Sequence, residues 1–411
     1  MSPIYLDHAA TTDVLEPVVS AVSAQMLAGA NPSSLHAQGR KARAQVEEAR
    51  EKIAQAIGCD RAEIIFTSGG TEADNLAIKG LWWKQQAADP ARKRILVSAV
   101  EHHAVTDAVE WLASRQGASI DWIPVDRQGV VKLSRLQELI EQNPQDIALL
   151  ALMWANNEVG AIQPVAEAAQ LAARYGIPVH TDAVQAFGAI PINFAQSGVS
   201  SMAISAHKMG GPMGIGALIA TRQTALEPLL HGGGQERSVR SGTINAAAIV
   251  GFGVAAQWSS QNVEQESRRI GQLRNRLIQA VQAEIPGAHL QGPAPETDLE
   301  LMQEGPQRRL PNNAHFTFTG CEGDSLLFLL DRAGVASSTG SACNAGVPRP
   351  SQVLLAMGLD EAEARGAQRF TLGHTTKAAD IDYLLEVLPA AYQQAYRAGL
   401  AARNPDSSTW H

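Results

Sequence analysis

Between Glu63 and Ala220, short apolar runs alternate with longer helical segments, and no other feature of this sequence restricts the fold so severely. The candidate strands are Ile64-Thr67, Arg94-Ser98, Ser119-Pro124, Ile147-Met153, Pro178-Thr181, Ser201-Ser205 and Gly216-Ala220. Strands that alternate with helices form crossover units, so the repetition predicts an α/β fold with a mostly parallel seven-stranded sheet covered on both faces. Ligands of such sheets bind beyond the carboxyl ends of the strands. The polar residues that follow each apolar run are therefore the first candidates for function.

The flanking segments extend this plan. A loop at Asn31-His36 precedes a charged helix from about Gln38 to Ile57, and Ala246 to Ala283 reads as one or two long helices leading into a second unit. Gly287 to Pro311 is rich in Pro, Gly and Glu with little periodicity and reads as a surface loop. The segments Ala314-Thr319, Asp324-Arg332, Pro350-Met357, Gln368-Leu372 and Ile381-Ala398 then suggest a smaller α+β domain. The expected division is a large cofactor-binding domain over 13–260 and a small domain made of 1–12 and 261–411. A chain of 411 residues with 45% hydrophobic content has ample material for both cores.

Composition excludes several classes of function. A formal net charge of −8 without a basic block argues against a nucleic-acid surface, and no nucleic-acid partner is expected. The opening residues Met1 to His8 show neither a basic nor an apolar signal region, and the longest apolar stretch, Ile147 to Ala155, is far short of a bilayer span. A cytoplasmic protein without membrane contact is expected. Cys59, Cys321 and Cys343 are odd in number and scattered, matching neither a disulfide framework nor metal-ligand spacing, so no metal site is expected.

Four stretches at the ends of candidate strands carry chemistry. In Thr67-Ser68-Gly69-Gly70-Thr71-Glu72, a glycine turn opens a helix whose N-H groups favour an anion, with Thr71 adding a hydroxyl; a plain turn is the alternative. Glu101-His102-His103 offers one histidine to stack on an aromatic ring or carry protons, or else simply to cap a helix. Trp154-Ala155-Asn156-Asn157-Glu158-Val159-Gly160 places two amides at the crevice, where Asn157 could orient a substrate, although Asn and Gly also make turns. In His180-Thr181-Asp182-Ala183-Val184-Gln185, a carboxylate at Asp182 would keep a pyridine nitrogen protonated, and the alternative is a capping aspartate.

The fifth stretch is Ser205-Ala206-His207-Lys208, followed by Met209-Gly210-Gly211. A lysine delivered by a buried strand has its pKa pushed down by desolvation, and the resulting amine can hold a carbonyl cofactor as a Schiff base. A phosphate cradle, an aspartate and such a lysine at strand ends of one sheet together specify pyridoxal 5'-phosphate.

With these motifs in place the chain resembles the cysteine desulfurases of the class V aminotransferase family, group I. The likeness runs from Tyr5-Leu6-Asp7-His8-Ala9-Ala10-Thr11-Thr12 to Arg369-Phe370-Thr371-Leu372-Gly373. It implies a fold-type I pyridoxal-phosphate-dependent transferase in which Lys208 binds the cofactor, His102 stacks on it, and Asp182 and Gln185 contact its nitrogen and hydroxyl. It further implies that Gly70, Thr71, Ser205 and His207 hold the phosphate, and that Thr243 reaches the phosphate of a partner subunit in a homodimer.

The loop Ser337-Ser338-Thr339-Gly340-Ser341-Ala342-Cys343 ends small residues on a thiol, and it resembles the catalytic segment of the group I desulfurases. Cys59 and Cys321 read as structural. Arg369 matches the family arginine that forks onto the substrate carboxylate. Gly373-His374-Thr375, where the commoner family pattern has arginine and phenylalanine after the glycine, and Asn344 after Cys343 depart from that pattern. The resemblance implies that L-cysteine is converted to L-alanine by Lys208, His102 and Cys343. The persulfide left on Cys343 then passes to a sulfur-acceptor or iron-sulfur scaffold protein. An aminotransferase or selenocysteine/cysteine lyase of the same fold, and a non-catalytic scaffold, are the alternatives at this point.

Overall fold

The computed structural model describes residues 3–295, 307–340 and 350–403. In chain order the described strands are β1 (Ile4–Tyr5), β2 (Ile64–Thr67), β3 (Arg94–Ser98), β4 (Ser119–Ile123), β5 (Ile147–Ala151) and β6 (Val179–Asp182). They continue as β7 (Ser201–Ser205), β8 (Gly216–Ala220), β9 (Ala288–Leu290), β10 (Asn313–Phe318), β11 (Val335–Ala336) and β12 (Ala367–Thr371). All seven apolar runs of the alternating region enter one sheet, in the order β2-β8-β7-β6-β5-β3-β4. β8 runs antiparallel to both its neighbours, and the other pairings are parallel.

The order of the strands positions the site. The chain moves outward from β3 to the edge strand β4 and then returns to lay β5 on the other side of β3, which opens a crevice at their carboxyl ends. Strands buried on both faces read as continuous apolar runs, because alternate residues feed opposite cores. Ile64 and Phe66 enter one core while Ile65 enters the other.

A third core lies around the antiparallel sheet β12-β10-β9 and contains Phe316, Phe318, Phe370, Leu326 and Leu384. One helix, Ala246–Glu284, belongs to both regions. Ile249, Phe252 and Ala256 of its first half pack into a core of the main sheet, whereas Leu277, Ile278 and Val281 of its second half pack into the third. Of the two possibilities left by the sequence, one continuous helix forms. It holds no proline, and its N-terminus is capped by Asn245 Oδ1, which accepts from the Ala248 N-H at 3.1 Å. Gly253 is needed for its packing: a Cβ there would stand 2.7 Å from Ala49 Cα in helix Ala37–Ile57.

Gly287 to Pro311 differs from expectation. Its start forms β9, an edge strand too short to show a period, and Arg309 near its end is fully buried. The guanidinium donates to the Pro293 carbonyl at 2.7 Å and to Asn313 Oδ1 at 3.1 Å, so the charge replaces its lost water with oxygen acceptors. Strand ends also shift: β5 stops at Ala151 rather than Met153, and β6 runs to Asp182 rather than Thr181. Among the described residues no helix is long and apolar enough to cross a membrane.

Candidate active site

The carboxyl ends of β2, β3, β5, β6 and β7 enclose a cavity of about 250 Å³. It is lined by Gly70, Thr71, His102, Asn157, Asp182, Gln185, Ser205, His207 and Lys208, together with Asp74, Met153 and Val184. Nine residues singled out from the sequence thus meet in one place.

At one end lies the N-terminus of helix Gly70–Ala88, whose N-cap Gly69 supplies no side chain. Uncapped N-H groups and the helix dipole make such an end receptive to an anion. Ser205 Oγ, on the facing strand end, is buried without a hydrogen-bond partner. The backbone at Gly70 has no room for a side chain, since a Cβ would come within 2.7 Å of Val184 Cγ2. His207, 3.3 Å from Thr11 Oγ1, has its pKa lowered to about 4 by burial and by Lys208. It is a neutral donor or acceptor there.

The opposite end is acidic and buried. Asp182 is 6% exposed, and its Oδ1 accepts the Val184 N-H at 2.8 Å. Burial raises the pKa of this carboxyl, while His102, the Val184 N-H and Lys208 act against that rise. His102 both caps and lines: its Nδ1 accepts the Ala104 N-H at 3.1 Å at the start of helix His103–Gln116, and its ring faces the cavity. His103 does not line it, as expected for adjacent residues that point apart. Among the paired amides, Asn156 makes the turn by accepting from the Glu158 and Val159 N-H groups, which leaves Asn157 at the cavity.

Lys208 stands in a short turn after β7, and burial, with Arg369 nearby, lowers its pKa from 10.5 to about 8. Its ammonium donates to the carbonyls of Ala9 and of Ala10, the latter at 2.8 Å, and Gln185 Nε2 also donates to Ala9 O at 3.0 Å. Arg369 sits in β12 of the smaller sheet and reaches across to the main one. Its Nη1 donates to Asn157 O at 2.8 Å and its Nη2 pairs with Asp7 at 2.9 Å, while Nε is buried without a partner.

Thr243 does not line the cavity and is exposed. Cys343 and Ser341 lie outside the described residues. Cys59 is half-buried with its thiol pushed up to about 12, chiefly by burial, and Cys321 is buried. No group of three or more metal-ligating side chains occurs among the described residues.

Sequence reasoning missed the strap Asp7-Thr12, which bonds to Lys208, Gln185, His207 and Arg369, and the buried set Asp74, Glu101 and His180. Backbone carbonyls leave no sequence signal. A polar residue inside a helix or an apolar strand does, and Asp74 and His180 were legible on that ground.

The model of the aminotransferase class-V family matches residues 4–384. The chain is similar to the IscS-like cysteine desulfurase of Mycobacterium tuberculosis, 50% identical over 398 residues that cover 97% of this chain and 98% of that protein. It is also similar to the cysteine desulfurase NifS of Azotobacter vinelandii, 38% identical over 396 residues covering 96% and 94%. Among solved structures, a NifS-like protein from Rickettsia africae superposes with a TM-score of 0.82 at 32% identity, covering 95% of this chain and 99% of that one.

Proposed function

The chain belongs to the class-V aminotransferase family and is a pyridoxal-phosphate-dependent cysteine desulfurase, and from that premise we propose how its residues share the work. The observation that carries the assignment of roles is the placement of Lys208 in one cavity with Asp182 and His102, its pKa depressed to about 8.

The cavity fits the cofactor. The uncapped helix end and the orphaned Ser205 hydroxyl suit a phosphate, which Gly70, Thr71 and His207 would flank. Asp182 and Gln185 suit the ring's nitrogen and hydroxyl, and His102 its face. Bound pyridoxal phosphate supplies an electron sink for the carbanion left when the substrate Cα-H bond breaks.

Lys208 anchors the cofactor and takes the α-proton from L-cysteine, since a depressed pKa leaves part of it as free amine near neutral pH. His102, which lines the same cavity, assists as a proton carrier. Arg369 takes the substrate carboxylate: its free Nε-H points to an unmet acceptor, while Asn157 O and Asp7 fix the plane of the fork. Cys343 then attacks the substrate sulfur. The new S-S bond forms as the substrate Cβ-S bond breaks, the electron pair of that bond staying with the carbon skeleton; this leaves a persulfide on Cys343, and alanine is released once Cβ and Cα have each taken up a proton. The persulfide passes to a sulfur-acceptor or iron-sulfur scaffold protein.

We also infer a cytoplasmic homodimer, with 13–260 and 1–12 plus 261–411 as its two domains in each subunit. The exposed Thr243 would reach a partner's phosphate site. Purified protein given L-cysteine and a reductant tests the roles: Cys343→Ala is expected to bind the cofactor but form no alanine, and undiminished alanine would overturn the thiol mechanism.

A further inference from the structure

Beside Asp182 lies a second polar set to which the reaction assigns no role. Asp74, in the second turn of helix Gly70–Ala88, is 1% exposed, and its Oδ1 is 3.1 Å from His180 Nε2. His180 is fully buried, and its Nδ1 is 2.9 Å from Ser201 Oγ on the neighbouring strand β7. His180 and Asp182 lie two apart on β6, so both side chains project from the same face of the strand. Asp74 itself reaches the cavity wall.

Three buried carboxyls therefore converge: Asp74, Asp182 and Glu101. Glu101 Oε1 accepts the Met153 N-H at 2.6 Å. Like charges at such a site do not all ionise, and the proton goes to the group with the least support for its charge. Asp182 has a backbone N-H and faces His102 and Lys208. Asp74 faces His180, Asp182 and Glu101, and the imidazole beside it is itself held neutral by burial, its pKa lowered to about 3. Asp74 is thus the weaker site for an anion, in agreement with a pKa raised well above the usual carboxylate range.

We propose that Asp74 is a protonated positioning residue, donating its O-H to His180 Nε2 while His180 Nδ1-H donates to Ser201 Oγ, so that it leaves Asp182 to stay ionised toward the cofactor. The relay is a neutral hydrogen-bonded chain. It resembles the hydrolytic Ser-His-Asp arrangement in residue types alone, because its serine, Ser201, is fully buried on β7 and does not line the cavity. This inference rests on the reading of the cavity as the cofactor site.

Infrared spectra of the holoenzyme labelled with [4-¹³C]aspartate test it without a substitution. A protonated aspartic acid carbonyl band that shifts with the label and persists at pH 8 is expected, and it should vanish in Asp74→Asn. Cofactor affinity supplies a second readout. Asp74→Ala, which strands His180, is expected to raise the cofactor dissociation constant about tenfold, and Asp74→Asn, which keeps a neutral donor, to restore most of it. Absence of the labelled band in wild type, its persistence in Asp74→Asn, or an amide variant as weak as the alanine one would each overturn the proposal. Failure of the underlying site reading would look different: wild type would take up no cofactor and show no visible absorbance.

Discussion

Lys208 stands in the turn that follows a strand whose every residue is buried, and its ammonium is held by the carbonyls of Ala9 and Ala10 rather than by a carboxylate. Carbonyl dipoles compensate a cation less than a full negative charge does, so desolvation dominates and the amine is easily freed. The rate at which apoenzyme takes up pyridoxal phosphate is therefore expected to climb as the pH rises through about 8, not through the ordinary 10.5, and stopped-flow absorbance checks it. Lys208→Ala should lower alanine formation by about 10²- to 10⁴-fold, the usual range for loss of a positioned acid-base group. The buried histidines set a second pH effect. Burial lowers the pKa of both His180 and His315 from 6.5 to about 3, so the unfolded chain binds protons that the folded chain refuses. The contribution of these two residues to stability is then constant above pH 6.5 and falls as the pH drops from there towards 3, by about 2 kcal/mol per histidine at pH 5. Thermal unfolding of His315→Gln should show a shallower loss between neutral and acid pH than wild type.

Among elements, the junction of β8 with the loop before helix Gly70–Ala88 is the tightest support of the proposed phosphate end. A Cβ on Gly216 would lie 2.7 Å from both Gly69 C and Ile204 O, which are backbone atoms with no rotamer to yield. Gly216→Ala is expected to cost about 1–3 kcal/mol by overpacking. It should also weaken cofactor binding, because the displaced atoms belong to the helix entry; calorimetry and cofactor titration together read both effects. The turn around Gln235 shows the opposite economy, in which strain is tolerated. Glu236, Arg237 and Ser238 adopt φ of 45°, 58° and 62°, a conformation that costs residues with a Cβ. Glu236 secures it by accepting from Arg50 Nη2 at 2.8 Å and from the Phe66 N-H at 2.8 Å. The segment so held continues to Thr243.

At the scale of the whole molecule, five of the eleven exposed large apolar side chains among the described residues lie within the first 35 positions. Val14, Val19, Met26, Leu27 and Leu35 are 43–89% exposed, and Met213 is 67% exposed. Val19 and Met26 lie seven apart in helix Glu16–Ala28, hence on one stripe. Exposed apolar stripes mark contact surfaces, and under the proposed homodimer this one meets a second copy. Sedimentation is expected to give a dimer for wild type, and a monomer that retains cofactor less tightly for a Leu27→Asp, Leu35→Asp variant; an unchanged dimer would place the interface elsewhere. The strand-helix alternation by itself determined the main sheet, because two-sided burial writes each strand as an unbroken apolar run. The residues at the strand ends determined the cofactor, because Asp182 closes such a run and Thr71, His102 and Lys208 each stand within four residues of the end of one. Tertiary structure alone decided that Arg369, from the other sheet, meets Asp7 and Asn157, and that carbonyls of the first twelve residues hold Lys208. It also brought three buried carboxyls, Asp74, Glu101 and Asp182, close enough to shift one another's ionisation. Those outcomes depend on distances between segments far apart in the chain, and a charge's ionisation follows from its neighbours in space rather than from its neighbours in sequence.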